Sequence, residues 1–238
     1  MSSPAGRVSS TPVEEIIRKA YNEFANREGC EKQEFEHSDV AEQTFSRMNL
    51  QPGDRILDLG CGTGWASRRL AQKVFPGEVV GIDIADTMIQ LAEERSRHLV
   101  NLRFSRASAE DLPCPDNSFD KVFSTESFYY YPDQGRALDQ LRRVLVPGGR
   151  IFICMFLYKD NPYAVRSQQA HKVPVRFCSA DEYVDLMNRH GFGPAEAVRL
   201  SDHTPTPDDY SDKIFKNAAE LRECKEIGAL LLLGTAKK

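Results

Sequence analysis

The feature that most constrains this chain is a short run, Ile56-Leu57-Asp58-Leu59-Gly60-Cys61-Gly62-Thr63-Gly64-Trp65. An apolar stretch of strand character enters a loop with a glycine at every second position. Residues of helical character follow, through Val74. Glycines let the backbone turn sharply and approach a ligand closely. A helix starting there offers free N–H groups and a partial positive charge. The next apolar run, 78–82, leads into Asp83. In doubly wound α/β folds an acid at that place accepts hydrogen bonds from ribose hydroxyls. The dinucleotide pattern G-x-G-x-x-G is not met, because Trp65 stands where its last glycine would let helix and strand pack closely. A nicotinamide cofactor is therefore disfavoured.

The rest of the chain extends this unit. Strands are predicted over 55–59, 78–82, 102–105, 121–124 and 150–157, and helices from the loop to Val74 and over 86–97 and 133–144. Strand and helix in alternation signal a parallel sheet covered on both faces. Ahead of it, Val13, Ile16, Ile17, Ala20, Tyr21 and Phe24 recur at helical spacing. Thr11-Pro12 supplies an N-cap and a proline at the first position, and Glu14-Glu15 suit the helix dipole. A second helix is predicted over 38–48. Past Tyr158 an irregular stretch runs through Cys178. Then come a helix capped by Ser179 and ended by Gly191, a strand over 195–200, a helix over 214–224 and a last strand over 228–235.

Composition narrows the function classes. With 41% hydrophobic residues the chain can build an ordinary core. Thirty-one basic against thirty-five acidic residues give a net charge of −4. That argues against a nucleic-acid or membrane-surface partner, which needs a concentrated positive face. The apolar runs 151–158 and 229–233 are too short to span a bilayer. The N-terminus lacks the apolar core of a secretory signal, so a cytoplasmic protein is expected. Six cysteines form no C-x-x-C pair, which speaks against a zinc knuckle, and their sparseness speaks against a disulfide framework. No metal is expected.

These motifs resemble those of the class I S-adenosylmethionine-dependent methyltransferases, from about Leu50 to Leu157. Asp58, Gly60, Gly62 and Gly64 match the family's first motif, the loop that wraps the methionine part of the donor. Asp83 matches the acid that grips the ribose. Ser108-Ala109-Glu110-Asp111-Leu112-Pro113 resembles the segment beside the adenine, with Ser108 in place of the usual Asp. The segments 116–120 and 145–149 match two further family stretches, expected around the fourth strand and just before the fifth. The resemblance implies a Rossmann-like, doubly wound seven-stranded sheet, mostly parallel with an antiparallel last strand, preceded by N-terminal helices. It implies S-adenosyl-L-methionine as methyl donor, bound by Asp58, Gly60, Cys61, Gly62, Gly64, Asp83, Ile84, Ser108, Ala109, Glu110 and Thr125. The expected organisation is a flexible tail over 1–12, a helical lid over 13–49, and a methyltransferase domain over 50–238 with an acceptor-side insertion near 159–178.

The acceptor should lie beyond the carboxyl ends of the strands, where Glu126, Tyr129, Tyr130 and Tyr131 follow the fourth strand. The tyrosines are either one core ring with two surface rings or a pocket wall beside the sulfonium, since aromatic faces attract cations. Glu126 with Pro132-Asp133 resembles a segment of sterol and tocopherol C-methyltransferases. Glu126, Tyr129 and Tyr130 are the candidate catalytic residues. His171, in the irregular stretch, is more simply a surface residue. The expected activity is methyl transfer to oxygen, nitrogen or carbon of a small-molecule acceptor. A protein or RNA methyltransferase and a non-catalytic donor-binding protein are the alternatives.

Overall fold

The computed structural model describes residues 11–25, 32–170 and 173–238. Residues 1–10 of the tail expected over 1–12, together with Asn26, Cys30 and His171, lie outside the described residues, whereas Pro12 already begins a helix. A seven-stranded sheet organises the rest. Its strands are β1 (Ile56–Leu59), β2 (Val79–Asp83), β3 (Leu102–Arg106), β4 (Phe119–Thr125), β5 (Leu145–Met155), β6 (Glu196–Leu200) and β7 (Ala229–Thr235). They lie in the order β3-β2-β1-β4-β5-β7-β6. Every pairing from β3 across to β5 is parallel, and β7 runs antiparallel to both β5 and β6. The strand order therefore reverses between β1 and β4. A crevice opens there at the carboxyl ends of the strands, which is where open α/β sheets bind ligands.

Period-two patterning fixes the two faces of the sheet. On β5, Ile151, Ile153 and Met155 join one core, while Phe152 and Cys154 join the other. On β7, Leu230 and Leu232 face the first core and Leu231 the second. The second core is completed by α2 (Lys32–Met48), through Val40, Phe45 and Met48, and by α3 (Trp65–Val74), through Leu70 and Val74. The first is completed by α5 (Gln134–Val144) and α7 (Ala180–Arg189). The remaining helices are α1 (Pro12–Ala25), α4 (Asp86–Arg95), α6 (Ala164–Ala170) and α8 (Ala218–Ile227).

Several bounds differ from the sequence reading. β5 begins at Leu145 rather than 150, because Gly148-Gly149 continue the strand with a register shift opposite Phe119 and Lys121. Helix α2 begins at Lys32, six residues before the expected start at Ser38. Helix α8 begins at Ala218 because the Asn217 side chain caps it, accepting from the Glu220 N–H at 3.0 Å. The irregular stretch holds a helix, α6, that its polar composition concealed.

Candidate active site

At the crevice a cavity with about 960 Å³ of empty space, part of it open to solvent, is lined by the glycine loop, the ends of β2 and β4, α1 and one residue of α2. Gly60 and Gly62 have φ of 74° and 52°, the left-handed region that glycine enters without penalty. A Cβ on Gly60 would strike the Ser127 side chain, whereas one on Gly62 would meet only open space. The loop is thus packed on one side and bare on the other.

Two carboxylates flank this loop. Asp58, on β1, is fully buried. Its Oδ2 accepts from the Ser67 hydroxyl at 2.5 Å, and its Oδ1 has no partner. Burial pushes its carboxyl up to about 7, against the opposing pull of the Ser67 hydrogen bond. Asp83 accepts from the Gly62 N–H at 3.0 Å and the Ala85 N–H at 2.8 Å. Burial raises its carboxyl as well, and those backbone N–H groups restrain the rise.

The opposite end is built by side chains from distant parts of the chain. Glu126 directly follows β4 with φ 51°, a conformation that costs a non-glycine residue about 1–2 kcal/mol. It is held there on three sides. Its N–H donates to the Cys154 carbonyl at 3.0 Å, its Oε1 accepts from the Phe156 N–H at 2.7 Å, and its Oε2 accepts from the Tyr129 hydroxyl at 2.9 Å. A 3-10 turn over Phe128–Tyr130 rotates the successive rings, so Tyr129 and Tyr130 are both buried. Of the two alternatives, one core ring with two surface rings does not occur. Tyr130 meets Tyr21 of α1 edge to face at 5.3 Å. Burial pushes the Tyr130 phenol up to about 12 and the Tyr21 phenol well above its ordinary value.

Helix α1 is fastened over this end. Arg18 pairs with Asp86 at 2.5 Å, and the Asn22 side chain accepts from the Thr87 N–H at 2.9 Å. Glu14 closes a capping box with Thr11: it accepts from the Thr11 N–H at 2.7 Å while its own N–H donates to the Thr11 hydroxyl at 3.2 Å. The buried Glu14 carboxylate also accepts from the Ser108 hydroxyl.

Of the residues expected from the sequence, Asp58, Gly60, Cys61, Gly62, Asp83, Ile84, Ala109, Glu110, Thr125, Glu126 and Tyr130 line the cavity. Three do not. Gly64 packs against Phe104, where a Cβ would come within 2.6 Å of the ring. Ser108 is turned to Glu14, and the Tyr129 hydroxyl to Glu126. Among the described residues, the stretch 159–178 contributes no lining residue. Sequence reasoning missed Glu14, although Thr11-x-x-Glu14 is a capping-box spelling. It also missed His37, which nothing in the polar sequence of α2 distinguishes. Among the described residues no group of three metal-binding side chains occurs, and no helix is long and apolar enough to cross a membrane.

Six buried side-chain polar atoms among the described residues lack a hydrogen-bond partner, and three of them belong to this cavity: His37 Nδ1, Asp58 Oδ1 and Thr125 Oγ1. Buried polar groups are nearly always satisfied, so their concentration at one place marks a ligand site. The donor set fits S-adenosylmethionine. The open carboxylate oxygen of Asp58 suits an ammonium group, Asp83 suits ribose hydroxyls, and the glycine loop leaves room for close approach.

Comparison with known proteins agrees. A family model described as a methyltransferase domain, Methyltransf_11, matches residues 57–153. The 27-O-demethylrifamycin SV methyltransferase of Amycolatopsis mediterranei is 36% identical over 69% of this chain and 63% of its own length. A demethylmenaquinone methyltransferase of Geobacillus is 35% identical over 59% of this chain and 60% of its own. Among solved structures, a Haloferax volcanii chain in complex with the Trm112 methyltransferase activator superposes with a TM-score of 0.85. It is 27% identical, over 92% of this chain and 98% of that one. The chain belongs to the class I S-adenosylmethionine-dependent methyltransferases. It spans between 60% and 63% of the length of the first curated relatives it matches.

Proposed function

We propose that this protein transfers the methyl group of S-adenosylmethionine to an uncharged small molecule that enters between α1 and the end of β4. The observation that carries the reading is the cluster of unpartnered polar atoms in one cavity, with Asp58 Oδ1 at the glycine loop and His37 and Thr125 among its other lining residues. When bound, the donor supplies an activated methyl group on a positively charged sulfur. The chain's own task is to hold that group and the acceptor in line, which can account for much of the rate. Asp58 and Asp83 take the polar ends of the donor. The faces of Tyr21 and Tyr130 and the Glu126 carboxylate stabilise positive charge beside them. Helix α1, fastened by Arg18 and Glu14, acts as a lid that excludes water from the site.

Among the described residues the lining carries Glu14, Asp58, Asp83, Glu110 and Glu126 and no lysine or arginine. A phosphorylated or carboxylated acceptor would meet uncompensated repulsion there, which favours an uncharged one. The net charge of −4 speaks against RNA in the same way. Radiolabelled S-adenosylmethionine, offered with a panel of uncharged phenols, alcohols and amines and separately with bulk RNA and protein, tests this. Label should enter the small uncharged molecules. Label entering only RNA or protein contradicts the reading.

A second reading, favoured by the activator complex of the Haloferax chain, is that a partner protein raises this enzyme's donor affinity. Added Haloferax volcanii Trm112 should then tighten S-adenosylhomocysteine binding. No change in affinity rejects it.

A further inference from the structure

We propose that His37 is the proton acceptor for a hydroxyl-bearing methyl acceptor, a step that rests on the methyltransferase reading above. His37 lines the cavity from α2, and its Nδ1 is buried without a partner. Its ring lies 6.2 Å from that of Phe156, the residue whose N–H holds Glu126. This places the imidazole on the side of the cavity where Phe156 holds Glu126.

The other ionisable groups of the lining are already committed. Glu14 accepts from the Thr11 N–H and from Ser108. Glu126 accepts from Phe156 and Tyr129, and Glu110 accepts from the Asp133 N–H at 2.7 Å. Asp83 is held by Gly62 and Ala85, and Asp58 lies at the donor loop. Burial raises the phenols of Tyr21, Tyr130 and Tyr131, which makes them poor bases near neutrality. Burial raises the Cys61 thiol as well, so it stays protonated. Among the described lining residues, His37 Nδ1 is the unpartnered buried nitrogen left for an acceptor proton.

In the step, the acceptor oxygen forms a bond to the methyl carbon. The carbon–sulfur bond breaks with its electron pair left on sulfur, and the O–H proton passes to Nδ1. One positive charge disappears from sulfur as another appears on the imidazole. The cavity's net charge is unchanged, and its carboxylates stabilise both the starting and the final cation. The proton then leaves to solvent. Accepting at Nδ1 requires the tautomer with hydrogen on Nε2.

The test uses para-nitrophenol, whose ionised form is coloured, bound to the S-adenosylhomocysteine complex of the wild type and of His37→Asn and His37→Gln. Calorimetry with S-adenosylhomocysteine and thermal melting confirm that each variant is folded and loaded. In the wild type the bound phenol should ionise at a lower pH than in either variant, by the equivalent of at least tenfold in proton affinity. S-adenosylhomocysteine affinity should stay within twofold. Equal ionisation in the wild type and a folded, loaded variant overturns the role of His37, as does a loaded wild type that binds no phenol. If both variants fail to fold, their collapse makes His37 structural and overturns the proposal. A wild type that binds no S-adenosylhomocysteine overturns the donor reading, and this proposal with it.

Discussion

The two ends of the cavity are built differently. The donor end is mostly main chain. A glycine loop turns where only glycine is comfortable, and buried Asp58 and half-buried Asp83 flank it from adjacent strands. The acceptor end is mostly side chain. Glu126 and Tyr130 come from the segment after β4, Tyr21 from α1 and His37 from α2, and they meet only in the folded protein. Main-chain cradles depend on local conformation and tolerate almost no side chain. Side-chain walls can change identity while the fold stands. The first kind of construction suits a ligand shared across a family, and the second a ligand that differs from member to member.

The comparison breaks most directly at Gly60. Gly60→Val adds a branched side chain at φ 74° directly against Ser127. It should lower stability by about 2–4 kcal/mol and weaken S-adenosylhomocysteine binding by more than about a hundredfold. Chemical denaturation and calorimetry read the two effects, and a variant that still binds within tenfold would show that the loop is not the cradle.

The next effect in size belongs to Asp58. Its folded carboxyl titrates near 7, against an ordinary value of 3.8. The folded state therefore holds a proton that the unfolded chain has lost, and stability should fall as pH rises from about 4 to about 7, by up to about 4 kcal/mol. A cationic amine on the open oxygen favours the carboxylate instead. S-adenosylhomocysteine affinity should therefore rise over roughly pH 5 to 7, by as much as about tenfold per unit. Asp58→Asn should flatten both profiles. A variant that keeps the wild-type pH dependence of binding would remove Asp58 from the site.

At the acceptor end the effects shift from donor binding to stability. Glu126→Ala leaves the Phe156 N–H and the Tyr129 hydroxyl without their acceptor. It should cost about 1–3 kcal/mol of stability while S-adenosylhomocysteine affinity changes less than twofold. A large loss of donor affinity would erase the distinction between the ends. Tyr129→Phe, which removes only one of those hydrogen bonds, should cost about 1 kcal/mol and nothing in donor binding. A loss of donor affinity there would place the phenol in the site rather than behind Glu126.

The same division explains what could be read from the sequence. Asp58, Gly60 and Gly62 are close neighbours in one run, and Asp83 ends the next strand, so local pattern and strand order suffice to bring them together. The alternating strands and helices gave the sheet for the same reason. The acceptor end depends on tertiary contacts. Glu14 reaches Ser108 across 94 positions, and His37 reaches the cavity only because α2 packs on the sheet beside Phe156. Gly64 shows the reverse error. It belongs to the motif, but its missing side chain serves packing against Phe104 rather than the cavity. The capping of α8 by Asn217 and the continuation of β5 through two glycines are further tertiary outcomes that periodicity could not register.

Calorimetric titration of the wild-type protein with S-adenosylhomocysteine, beside the same titration with NAD, tests the central claim most directly. One equivalent of S-adenosylhomocysteine should bind, with an affinity that rises with pH toward 7, and NAD should give no heat. Saturable NAD binding with no response to S-adenosylhomocysteine would contradict the account.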